Sequence, residues 1–126
     1  MIRYNYVTEL TPPAPFVRVA VANPVTGQLQ SNVPAQLDSA ADRTVIPESL
    51  VHALNLHKVG TMLASGLGGA THNLAIYSVL LGVHDRPAVS ISVLAHPAES
   101  WILLGRDVLN SFRIVLDGPN QALEFA

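Results

Sequence analysis

From Phe16 to Ala22 the chain reads Phe-Val-Arg-Val-Ala-Val-Ala, the two-residue alternation of a strand with one buried face. The turn Asn23-Pro-Val-Thr-Gly27 closes it, and Gln28 to Leu37 resumes as a strand that delivers Asp38. Small residues follow through Ala41, then the short apolar strand Thr44-Val-Ile46. Pro47 suits the first position of a short helix, with Leu50, Val51 and Leu54 on one face. Two further β segments flank the cluster Gly66-Leu-Gly-Gly69, one before it and one over Asn73 to Val83. Val89 to Val93 alternates again, whereas Trp101-Ile-Leu-Leu104 is continuously apolar, as in a strand covered on both faces. Gly105 to Phe112 fits one or two helical turns with Val108, Leu109 and Phe112 inward. Arg113 to Leu116 and Ala122 to Phe125 flank Asp117-Gly-Pro-Asn120, which has the composition of a hairpin turn. Pro12, Pro13 and Pro15 make residues 1–15 an extended arm. The pattern predicts an all-β fold of many short strands, compatible with a closed barrel, carrying one or two short helices.

A length of 126 residues bounds the chain to one domain, residues 1–126, with a modest core. Of these residues 49% are apolar and 13% charged, an excess of apolar surface suited to a groove or an oligomer interface. The net charge of −2, with no basic run, argues against nucleic acid or an anionic membrane as partner. Cysteine is absent, which excludes disulfides and thiolate metal sites. No apolar window is long enough to span a bilayer and the N-terminus lacks a signal-peptide pattern, so a cytoplasmic location is expected. The histidines at 52, 57, 72, 84 and 96 are scattered, and His52 and His57 are wrongly spaced for one helical face. They read as surface residues, with no metal and no cofactor expected.

Asp38 is the one carboxylate that an apolar strand carries into a turn of small residues. Taken alone, Asp38-Ser39-Ala40 is a common turn or cap sequence. Asp107 is the tempting second acid, but it follows Arg106 at a helix start, where a carboxylate complements the helix dipole. The glycine cluster lacks the Gly-Lys-Ser/Thr ending of a phosphate-binding loop, and β segments surround it.

Three ordered features occur together: Asp38-Ser-Ala-Ala-Asp42, Ser65-Gly-Leu-Gly-Gly69 and Ile102-Leu-Leu-Gly-Arg106. In this combination the chain resembles the retropepsin-like (retroviral-type) aspartic proteases, in a single-domain bacterial-type form, over Phe16 to Phe125. The resemblance implies a closed acid-protease barrel and a symmetric homodimer in which two Asp38 residues share one active site. Two carboxylates about 3 Å apart cannot both ionise comfortably, so one serves as base and the other as acid for an attacking water. Activity on a peptide or protein substrate is then expected to be bell-shaped in pH, because the pair shares one proton.

Position by position, the family pattern gives Ser39 the hydroxyl that locks the two active-site loops together. Ala40 takes the place of the usual glycine, at a cost of about 1 kcal/mol if that position needs positive φ. Asp42 matches the acid that contacts substrate backbone and pairs with Arg106, which lies in the Gly105-Arg106-Asp107 segment. Gly66, Leu67 and Gly68 match the tip of a flap that closes over substrate. The alternative is a catalytically silent dimerisation or peptide-binding module of the same fold, which Ala40 would favour.

Overall fold

A computed structural model describes residues 2–65 and 69–125. Six strands close a barrel: β2 (Phe16–Ala22), β3 (Leu29–Leu37), β4 (Val45–Pro47), β6 (Thr71–Val83), β7 (Val89–His96) and β8 (Ile102–Leu104). Their order around the ring is β2-β3-β8-β4-β7-β6, and β6 returns to pair with β2. The thirteen-residue β6 makes closure possible. Its last residues pair with β2, its middle with β7, and its first half, Thr71 to Tyr77, with β5 (Lys58–Ser65).

Alternation decides which side chains fill the barrel. Val17, Val19 and Val21 of β2 and Val79, Leu81 and Val83 of β6 all point inward and are almost fully buried. Ile46, Val93, Ile102 and Leu104 join them from the short strands. Helix α1 (Glu48–Ala53) covers one end with Leu50 and Val51, followed by Leu54. Pro47 closes β4 and stands just outside this helix at φ −65°, one position earlier than the sequence pattern suggests. Helix α2 (Arg106–Leu109) buries Val108 and Leu109, while Phe112 is half-buried against Phe125 at a ring separation of 5.1 Å.

The arm expected over residues 1–15 is shorter than that. Ile2–Asn5 form β1, which pairs antiparallel with β10 (Ala122–Phe125) in the register Ile2↔Phe125 to Asn5↔Ala122. Ile2 and Tyr4 alternate with Arg3 and Asn5, and Tyr4 sets its ring edge-on to Phe125 at 6.2 Å. Burial and the charge of Asp85 both raise the Tyr4 hydroxyl above its ordinary pKa, so this ring stays neutral. On the other flank of β10 lies β9 (Ile114–Asp117), the expected terminal hairpin, giving a three-stranded sheet β1-β10-β9. Its turn is held by Asp117, which accepts from the Asn120 backbone N–H at 3.2 Å and from Asn120 Nδ2 at 2.8 Å. These bonds, the side-chain one first, and then the charge of Arg3, lower the Asp117 carboxyl below the usual carboxylate range. None of the helices among the described residues is long and apolar enough to cross a membrane.

Candidate active site

Strand β8 lies between β3 and β4, the two strands that the Asp38 loop connects. It runs parallel to β3 and antiparallel to β4, so the loop must pass over the end of β8. This crossing positions the acid. Asp38 N–H donates to the Leu104 carbonyl at 2.9 Å, which continues the β3–β8 ladder one residue beyond the strand. The turn then folds back on itself: Ala41 N–H donates to the Asp38 carbonyl at 3.1 Å, and Ala40 N–H to Asp38 Oδ1 at 3.2 Å. One carboxylate oxygen is thereby fixed, and the half-buried side chain faces the cleft. Ala40 is not among the residues at positive φ, so its methyl group carries no backbone strain.

The segment after β8 clamps the loop from beneath. Arg106 N–H donates to the Ala41 carbonyl at 2.8 Å, and Arg106 Nη1 to the Ser39 carbonyl at 2.7 Å. Gly105 sits where no other residue fits, because a Cβ there would lie 2.6 Å from the carbonyl carbon of Arg43 and 2.7 Å from its oxygen. Thr44, fully buried, ties the layers together: its hydroxyl donates to Asp107 Oδ1 at 2.7 Å and accepts Gly105 N–H at 3.2 Å. Thr44 N–H adds a bond to Asp107 Oδ2 at 3.0 Å. Both Asp107 oxygens are therefore engaged, and this acid supports the loop from behind.

Arg106 does not form the expected pair with Asp42. Its guanidinium finds the Ser39 carbonyl first, and the exposed Asp42 carboxylate makes no hydrogen bond or ion pair among the described residues. Asp42 faces the cleft instead.

That cleft has a volume of about 690 Å³. Asp38, Ala40, Asp42 and Leu103 line it from the barrel, and Ala64, Ser65, Ala70 and His72 from the β5–β6 hairpin that overhangs it. Leu103 is the middle member of the apolar β8 run: Ile102 and Leu104 enter the core, and Leu103 turns out to the cleft. The flap tip expected at Gly66, Leu67 and Gly68 lies outside the described residues. Its flanks, Ser65 paired with Thr71, are described and line or adjoin the cleft.

Two cleft residues escaped the sequence reading. His72 and His96, from β6 and the end of β7, meet edge-to-face at a ring separation of 5.6 Å. His96 Nδ1 accepts the Ala98 N–H at 3.0 Å, so this nitrogen carries no hydrogen in that arrangement. Trp101, read as core, is half-buried and bridges strands, donating Nε1 to Gln36 at 2.9 Å and meeting the Phe16 ring at 5.3 Å. Among the described residues, no group of three or more His, Cys, Asp or Glu side chains is placed to hold a metal ion.

A closed barrel whose acid-bearing loop crosses a Gly-Arg-Asp segment defines an aspartic-protease fold of the single-lobe type. The chain belongs to the family described as "Retroviral aspartyl protease", whose sequence profile matches residues 12–117. It is 31% identical over 110 residues to the Gag-Pro polyprotein of Human T-cell leukemia virus 2, a match covering 81% of this chain and 18% of that one. The chain thus spans less than a fifth of the length of the curated relatives it matches. Among solved structures it is similar to a retropepsin-like aspartic protease from Rickettsia conorii, with TM-score 0.70 and 12% identity over 98% of this chain and 88% of that one. It is also similar to EIAV protease complexed with the inhibitor HBY-793, with TM-score 0.60 and 19% identity over 78% of this chain and 86% of that one. At these identities the two structures show a shared fold.

Proposed function

We propose that the protein is an aspartic endopeptidase whose active site forms when two copies bring their Asp38 carboxylates together. The observation that carries this reading is the placement of Asp38. It is half-buried in the wall of a peptide-sized cleft, with one oxygen pinned and the loop clamped by Gly105, Arg106 and Thr44. Such rigid support of one acid has a chemical use if a partner acid completes the pair. Ser39 would join the two loops at the two-fold axis. Asp42, without a hydrogen-bond or ion-pair partner among the described residues, would accept a substrate backbone N–H. The overhanging β5–β6 hairpin would close over the peptide through Gly66, Leu67 and Gly68, with backbone hydrogen bonds supplying affinity.

In the reaction one carboxylate takes a proton from the water as the oxygen attacks the peptide carbonyl carbon. The other, protonated, gives its proton to the carbonyl oxygen. The tetrahedral diol then collapses, the C–N bond breaks, and the amine leaves with a proton returned by the pair. The unstrained backbone of Ala40 supports the enzyme reading over a silent binding module of the same fold.

Incubation with an unfolded protein from acidic to neutral pH tests the reading. Fragments are expected, and a hydroxyl-bearing transition-state mimic such as pepstatin is expected to suppress them. Binding of the mimic without any cleavage would replace the enzyme by the binding module.

A further inference from the structure

Arg43 brings a positive charge into the cleft and leaves it unanswered. Thr44 and Ile46 are buried in the core, so two-residue alternation turns Arg43 and Val45 to the cleft, which both line. The Arg43 side chain is half-buried, yet its guanidinium makes no hydrogen bond or ion pair among the described residues. A partly desolvated cation without a counter-charge is unfavourable until something supplies one.

The register of the barrel shows why the other charges nearby do not. Val45 pairs with Leu103 on one side and with Leu94 on the other, an apolar row across β8, β4 and β7 that lines the cleft. Strands β4 and β7 run parallel with Pro47 beside His96, so Arg43 lies two residues before this row and His96 two residues after it. Along the strands that offset is roughly 13 Å. Glu99, whose N–H donates to the His96 carbonyl at 3.3 Å, and His72, in ring contact with His96, belong to the far end. Asp107 has both oxygens engaged by Thr44, on the core side of the strand. Asp42 adjoins Arg43 in the chain, but it is exposed, and the two form no ion pair.

We propose that Arg43 makes the cleft select substrates with an acidic side chain, glutamate or aspartate, received between the guanidinium and the apolar row. A guanidinium presents paired N–H donors that match the two oxygens of a carboxylate. Leu103, Val45 and Leu94 offer apolar surface to the methylene groups of the same side chain. A lysine or arginine placed there would meet like charge, which adds rejection to attraction. This preference rests on the endopeptidase reading and adds its substrate class. Under the two-fold symmetry of that reading, one Arg43 stands on each side of the cleaved bond. The preference then falls at two positions equally far from it.

Peptides alike except at one residue, Glu, Gln or Lys, scanned along both sides of the cleaved bond, test the assignment. For the unmodified protein at low salt, kcat/KM is expected to be about tenfold higher with Glu than with Gln at one mirrored pair of positions. Lys should be the poorest of the three. Glu and Gln have the same shape, so their ratio isolates the charge. In Arg43→Gln the ratio should fall to about one, and in Arg43→Glu the order should reverse, with Lys above Glu. A ratio taken within one variant does not depend on how much of that variant is folded. If Arg43→Glu does not fold, Arg43→Gln alone decides.

Equal use of Glu and Gln by the unmodified protein, or a Glu preference that survives in Arg43→Gln, overturns the assignment while the endopeptidase reading stands. If no peptide is cleaved, the same comparison is read as affinity for the intact Glu and Gln peptides. A Glu preference lost in Arg43→Gln would then keep the acid-binding role as the catalytic reading falls, and equal affinities would remove both.

Discussion

Asp38→Asn is expected to lower the rate of peptide cleavage by at least about a thousandfold, or about 4 kcal/mol of transition-state stabilisation. An amide can neither take the proton from water nor share one with the partner carboxylate, so both roles of the pair are lost. The fold is expected to tolerate the change. The carbonyl oxygen of asparagine can still accept the Ala40 N–H, and the backbone bond from Asp38 to Leu104 involves no side chain. Circular dichroism and sedimentation of the variant should therefore match the parent while fragments disappear. Turnover within tenfold of the parent would remove Asp38 from the mechanism.

The second large effect is expected at Gly105. The φ of −84° there is open to any residue, so the constraint is contact, not backbone conformation. An added methyl group would lie 2.6 Å from the Arg43 carbonyl carbon and 3.0 Å from the Ala41 oxygen, and both are backbone atoms that cannot rotate aside. Gly105→Ala must push the Asp38 loop away from β8. Overpacking of this kind costs about 2–3 kcal/mol, which corresponds to roughly 10 °C in melting temperature for a chain of this size. Displacing the loop by about 1 Å would further cost about a hundredfold in rate. Gly118→Ala is the control, because a Cβ there meets nothing within 4 Å. Calorimetry should show a large fall for the first variant and almost none for the second. Equal melting temperatures would mean that the clamp is looser than its contacts indicate.

Much of this architecture was legible because its signals are local. A strand with two-residue alternation, an acid followed by small residues, and an apolar run ending in glycine each occupy fewer than ten positions. Their order was enough to place Asp38 at the end of β3 and Gly105 after β8. Strand β1 was missed although Ile2 and Tyr4 alternate correctly, since four residues beside a proline-rich stretch form a strand only when β10 is there to pair with them. Contacts between distant segments left no trace. The Thr44–Asp107 bond joins residues 63 apart, and Asp107 read as a helix-dipole partner because its immediate neighbours suggested nothing else. Arg106 likewise had an acid in its matching pattern, yet a backbone carbonyl, which no sequence pattern advertises, was the better-placed acceptor. The two cleft histidines come from strands whose register brings them together, and that register depends on the whole barrel.

Mixing the parent with Asp38→Asn at constant total concentration, after exchange of subunits, tests the shared site most directly. If each active site needs an aspartate from both copies, only parental pairs cleave, and activity falls as the square of the parental fraction, to about a quarter at equal amounts. A linear fall, to about half, would show that each chain works with its own Asp38 and would contradict the account.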